Sequence, residues 1–244
     1  MGAGIVQSFW IGDRLSTLER LAIRSFLANG HQFYLYCYRE PAGIPSGTVV
    51  CDAAEILPEH RAFAYSEGFA KGSYAAFSNF FRYKLLLERG GWWVDTDVVC
   101  LRPFDLHDRR LWATERMDPP QELTVSTSVI RAPAGDSLMA WAWDRCDSMS
   151  TTSVRFGQIG PRLLQTGVDA LGLHEFMRPH TFFSPIAFFD WGKVLDPVHV
   201  FAFGAEVYGV HLWNQMWSAH QVDKDASFPP GCFYEQLKER FLGR

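Results

Sequence analysis

The chain has 244 residues, 48% of them hydrophobic and 15% aromatic, with a formal net charge of −4 and a pI near 6.1. That length and apolar content suit one α/β domain with a sizeable core, and the mild acidity argues against a nucleic-acid binder, which carries a basic patch. The five cysteines, Cys37, Cys51, Cys100, Cys146 and Cys232, stand at no metal-ligand spacing, so free thiols in a reducing compartment are expected rather than a zinc site.

Residues 5–11 (IVQSFWI) form an apolar run ended by Gly12 and predict a buried first strand. Ser16-Thr17-Leu18-Glu19 fits a capping box, and Leu18, Leu21, Ala22, Ser25 and Phe26 continue at helical spacing as far as Gly30. Residues 33–38 and 48–51 predict a second and a third strand. A β-α-β opening of this kind implies a mostly parallel central sheet with flanking helices. Residues 73–89 are the clearest helix, stopped by Gly90-Gly91. Residues 92–100 (WWVDTDVVC) predict one strand carrying two aspartates, and residues 123–130 another strand. Helices are expected at 136–146, 161–171 and 233–242, with a late strand at 206–213. No repeat, low-complexity stretch or linker divides the chain, so a single domain over 1–244 is the simplest organisation. The N-terminus lacks the pattern of a signal peptide and no run reaches the roughly 20 apolar residues that span a bilayer. A cytoplasmic protein is expected, at most peripheral to the inner face of the membrane.

An Asp-x-Asp triplet alone says little, since chance supplies about one in a chain this long. Asp223-Lys224-Asp225 serves as an internal control, because it lies in a polar stretch (HQVDKDAS) that a solvated loop accounts for. Asp95-Thr96-Asp97 instead interrupts the apolar run of Trp92, Trp93, Val94, Val98 and Val99. In a strand, residues two apart share a face, which would aim both carboxylates the same way out of hydrophobic surroundings. Two buried like charges repel, and each is costly to desolvate. A hard divalent cation such as Mn²⁺ or Mg²⁺ removes both problems and bridges to substrate phosphates. The alternative is a polar strand end paired with Arg102 or another base.

Ser78-Asn79-Phe80-Phe81-Arg82 followed by Gly90-Gly91-Trp92-Trp93-Val94-Asp95-Thr96-Asp97 resembles the glycosyltransferase family named for a sugar-binding region containing a DxD motif. That family includes initiating mannosyltransferases and bacterial capsule and lipopolysaccharide sugar transferases; clostridial glucosylating toxins are distant relatives. The resemblance covers about residues 73–104, with Trp10 and His211-Leu212-Trp213-Asn214 also matching its layout. It implies a GT-A-type, Rossmann-like fold that binds a nucleoside-diphosphate sugar with Mn²⁺ or Mg²⁺ and transfers the sugar with retention. It implies a donor site of Trp10, Asn79, Arg82, Trp93 and Asp95, with Trp10 stacked on the base. Asp95, Asn79 and Arg82 would be the catalytic group. The metal would be held by Asp95 and Asp97, completed by His211 and Asn214. Relatives place an Asp where this chain has Asn79; an amide keeps hydrogen bonding to a hydroxyl but not an anionic role. The nucleotide-binding part would occupy about residues 1–104, and the acceptor and metal-completing part about 105–244.

The expected acceptor is a glycan or lipid-linked hydroxyl in bacterial polysaccharide synthesis, with a protein acceptor as the alternative. A catalytically weak nucleotide-sugar-binding module and a nucleotide-sugar hydrolase are the other readings. Gly160-Pro161 is read as an ordinary helix start rather than an anion site. Arg109, Arg110 and Arg131 are read as solvated charges, and Trp141 and Trp143 as core or interface residues.

Overall fold

Strand and helix alternate early in the chain as the hydrophobic periodicity requires. In a computed structural model, which describes residues 4–117 and 123–243, β1 (Ile5–Trp10), α1 (Thr17–Ala28), β2 (Gln32–Cys37) and β3 (Val49–Asp52) open the fold. β1 and β2 pair in parallel from Ile5↔Gln32 to Trp10↔Cys37, and β3 runs parallel on the outer side of β2. The capping box of α1 is formed: the Leu18 N–H donates to the Ser16 hydroxyl at 3.3 Å and the Ser16 N–H to Glu19 at 2.7 Å.

α2 (Ala75–Arg89) buries Phe77, Phe80, Phe81, Leu85 and Leu86 against the sheet. Gly90 ends it for two reasons. Its φ is +65°, in the region that favours glycine, and a Cβ there would meet the Ala134 backbone nitrogen at 2.4 Å. β4 (Gly91–Val94) then enters the sheet beside β1, in parallel, with Val6 opposite Trp92. β5 (Val98–Cys100) does not continue it. It leaves the sheet and pairs antiparallel with β8 (Gly209–His211), Val98 opposite His211. The run 92–100 is thus two strands in two sheets, and the late strand is much shorter than 206–213.

β6 (Leu111–Arg116) and β7 (Leu123–Ala132) pair antiparallel with each other, and β7 with β4, giving the order β3-β2-β1-β4-β7-β6. β6 has no period-two pattern to betray it, because Leu111 to Glu115 are all buried. α3 (Ser137–Asp147) and α4 (Pro161–Leu171) join α2 around one core, which includes Phe9, Trp93, Trp112 and Ile130 from the sheet. α1, the short α5 (Asn214–Ala219) and α6 (Phe233–Leu242) build a separate core on Leu18, Leu21, Trp217, Tyr234 and Leu237. Two of the arginines read as solvated are engaged instead. Arg110 pairs with the fully buried Asp136 at 2.6 Å, and Arg131 donates to the Leu106 carbonyl at 2.5 Å. No helix among the described residues is long and apolar enough to cross a membrane.

Candidate active site

The cavity of about 870 Å³ opens where the parallel strands β1 and β4 end. Open α/β sheets bind ligands at this edge, beyond the carboxyl ends of their strands. Trp10, the last residue of β1, lines it, and its indole Nε1 is buried without a protein partner. Asp95 follows β4 directly.

Asp95-Thr96-Asp97 is a turn, not part of a strand. The Val98 N–H donates to the Asp95 carbonyl at 3.1 Å, closing four residues, while the Asp95 N–H is tied to the Ser128 carbonyl of β7 at 2.8 Å. The two carboxylates therefore converge because the chain turns between sheets, and strand alternation is not the cause. Pairing of β5 with β8 brings His211 to the same point, its Nε2 3.2 Å from Asp97 Oδ2. One ligand atom from each of Asp95, Asp97 and His211 lies within 4.8 Å of the others. Trp213, in the left-handed region at φ +57°, lays its ring against His211 with centroids 3.9 Å apart.

Asn214 enters this group through its backbone, whose N–H donates to Asp97 Oδ2 at 2.7 Å; its side-chain oxygen accepts from Lys224 at 2.9 Å. On the other side, α2 presents Asn79 and Arg82, three residues apart and so on one face. Arg82 donates to Asp95 Oδ1 at 2.5 Å and also to the Asn79 side-chain oxygen. The Trp93 indole donates to the same Asp95 oxygen at 2.8 Å, and the Arg82 guanidinium lies 4.6 Å above the Trp93 ring. Trp93 is 1% exposed, so it steadies Asp95 from below. The cap of α4 reaches this side too, since a Cβ at Gly160 would sit 3.2 Å from the Asn79 amide nitrogen.

Charge in the site is uneven. Burial pushes the Asp95 carboxyl up, with Arg82 opposing. Burial acts the same way on Asp97, but His211 and the Asn214 N–H outweigh it and hold Asp97 below the ordinary carboxylate range. Burial favours a neutral His211, yet Asp97, Asp95 and Glu115 together raise its pKa. The donor set fits a hard divalent cation: two carboxylates and one imidazole converge, and His211 Nδ1 is buried without a partner. Glu115 lines the cavity, 7% exposed, with its carboxyl pushed up by burial. Sequence reading missed it; the signal was a glutamate two residues after the apolar Leu111-Trp112-Ala113.

Residues 49–117 match the family model described as the glycosyltransferase sugar-binding region containing the DXD motif. This is the signature region of a glycosyltransferase. Among solved structures, the chain is similar to one described as PaToxG glycosyltransferase, at 16% identity and a TM-score of 0.50, over 71% of this chain and 70% of that one. It is also similar to the ligand-free glycosyltransferase domain from the YGT toxin, at 9% identity and a TM-score of 0.46, over 99% and 93% of the two chains. A third is the apo form of glycosyltransferase GlyE in Streptococcus pneumoniae TIGR4, at 12% identity and a TM-score of 0.42, over 74% and 46%. The first likeness establishes a shared GT-A glycosyltransferase fold. A search of the curated proteins returns no match. The matched region carries β3, α2, β4, the Asp95–Asp97 turn, β5 and β6.

Proposed function

We propose that this glycosyltransferase moves a sugar from a nucleoside-diphosphate donor to an acceptor hydroxyl, with retention, using a divalent cation held by Asp95, Asp97 and His211. The observation that carries this reading is the convergence of those three side chains in the wall of a cavity that Trp10 also lines. A bound cation supplies charge to stabilise the departing diphosphate. The chain's own residues do the rest. Trp10 lines the cavity and offers its aromatic face to the base. Arg82 and Trp93 fix one oxygen of Asp95, leaving the other for the donor or the cation. Asn79, whose side-chain oxygen accepts from Arg82, keeps its amide N–H groups for a sugar or ribose hydroxyl. Conformational cost is avoided at the moment of reaction because these groups are already held.

The acceptor would approach over residues 105–244, which give the cavity rim Phe156 and Met117, with Phe69 and Tyr74 from the segment before α2 beside them, all exposed. Aromatic faces suit a sugar ring, which favours a glycan acceptor, and we place the protein in bacterial polysaccharide synthesis at the cytoplasmic face of the membrane. A panel of nucleotide sugars with Mn²⁺, read by nucleoside diphosphate release with and without glycan acceptors, tests this. Turnover that needs Mn²⁺ and is abolished in Asp97→Ala is expected. Binding of donors without any turnover would mean a binding module, and turnover indifferent to every acceptor a hydrolase.

A further inference from the structure

The second Asp-x-Asp triplet is clamped to the fold. Asp225 accepts from the Thr17 N–H and hydroxyl, both at 2.7 Å, and from Arg14 at 2.8 Å. That clamp at the N-terminus of α1 holds the middle residue, Lys224, inward. Its ammonium donates to Glu19 Oε1 at 2.7 Å and to Asn214 Oδ1 at 2.9 Å, and Glu19 is fully buried. Asn214 is the residue whose backbone N–H holds Asp97. Lys224 therefore stands one residue away from the carboxylates of the cation site. It also lines, with Trp10 and Arg14, a side pocket of about 310 Å³.

Three facts about charge and position follow. An ammonium has three N–H donors, and Lys224 has two protein acceptors among the described residues, which leaves one for a ligand in the cavity. Two carboxylates balance a divalent cation, so the charge of a bound diphosphate needs another cation. Arg82 donates to Asp95 and Asn79 and is 3% exposed, whereas Lys224, though paired with Glu19, keeps 20% of its side chain exposed. Lys224 lines the main cavity together with Trp10 and Asp97, so it faces the space a diphosphate would occupy between a nucleoside at Trp10 and a cation at Asp97. We propose that Lys224 binds the phosphates of the donor and of the departing nucleoside diphosphate, with Glu19 and Asn214 aiming its ammonium. This rests on the transferase reading above and adds a phosphate-binding residue to it.

The test is calorimetric titration of inorganic pyrophosphate into the protein with and without Mn²⁺, beside a titration of Mn²⁺ alone. Wild type is compared with Lys224→Arg and with the pair Glu19→Gln and Lys224→Met. The pair removes both partners, because taking Lys224 alone would strand a buried carboxylate. Glu19→Gln with Lys224→Gln, in which the two amides can hydrogen-bond each other, replaces that pair if circular dichroism shows it unfolded. The expected result is pyrophosphate binding weaker by roughly tenfold or more in the charge-removing variant, from the loss of one charge-assisted hydrogen bond. Lys224→Arg retains most of the affinity, and Mn²⁺ alone binds all the proteins equally. Equal pyrophosphate affinity in wild type and the charge-removing variant overturns the proposal. So does a loss that Mn²⁺ binding shares in full, which would make Lys224 a support for Asp97 only. Absence of Mn²⁺ binding in wild type overturns the metal reading instead, and pyrophosphate without Mn²⁺ then still decides the role of Lys224.

Discussion

His211 shows how one side chain serves two equilibria of opposite sign. Burial lowers its pKa, but the carboxylates around it outweigh that and raise it above 6.5. Its ion pair with Asp97 therefore adds stability that is fully present below pH 6.5 and lost as pH rises through the raised value. Cation binding runs the other way, since the imidazole binds metal only when neutral. Activation by Mn²⁺ should weaken as pH falls, starting above pH 6.5. A Mn²⁺ titration of donor turnover at pH 8 and pH 6 checks this, and in His211→Ala the two activation curves should draw together. Trp10 makes a simpler case. Base–aromatic stacking contributes about 1–3 kcal/mol, so Trp10→Ala should raise the donor's dissociation constant roughly tenfold or more. Calorimetry on the folded variant decides; unchanged affinity would leave Trp10 as a packing residue.

At the scale of elements, the site is assembled by what joins β4, β5, β8 and α1. The Asp-x-Asp turn carries the chain from one sheet to the other, and β8 supplies His211 across from Val98. The segment with Asp225 belongs to this framework rather than to solvent. Its carboxyl is held below the ordinary range: burial opposes this, and the Thr17 hydrogen bonds and Arg14 outweigh it. Asp225→Ala should thus lower unfolding stability by about 1 kcal/mol, the usual cost of losing a helix N-terminal acceptor. Chemical denaturation measures it. Turnover should fall far less than in Asp97→Ala, with any residual effect arising through Lys224 next to it.

For the whole molecule, the cation is expected to act as a staple between the two sheets. Asp95 and Asp97 follow the six-stranded sheet, whereas His211 comes from the two-stranded one. A ligand that binds only the native state stabilises it by about 2.7 kcal/mol at a hundred times its dissociation constant. Mn²⁺ should therefore raise the melting temperature of wild type, EDTA should reverse this, and Asp97→Ala should respond little. A thermal melt with and without Mn²⁺ is sufficient, and equal shifts in both proteins would remove the cation from this site.

The amino-acid sequence by itself determined the α/β alternation, the capping box at Ser16 and Glu19, the stop at Gly90, and the pairing of Asp95 with Asp97 at one place in an apolar run. Each is local: a period, a cap, a positive φ, or two carboxylates in an apolar run is complete within a few residues. Only the tertiary structure decided that Asp95-Thr96-Asp97 is a turn, because β5 finds its partner, β8, in the other sheet, so the chain must leave β7 after Asp95 despite the strand preference of the flanking tryptophans and valines. β6 and its buried Glu115 stayed illegible for a related reason, since a strand covered on both faces has no alternation to read. The place of Lys224 was the least accessible of all. Its partners Glu19 and Asn214 lie 205 and 10 residues away, and only the packing of α1 against the C-terminal segment brings one ammonium to both.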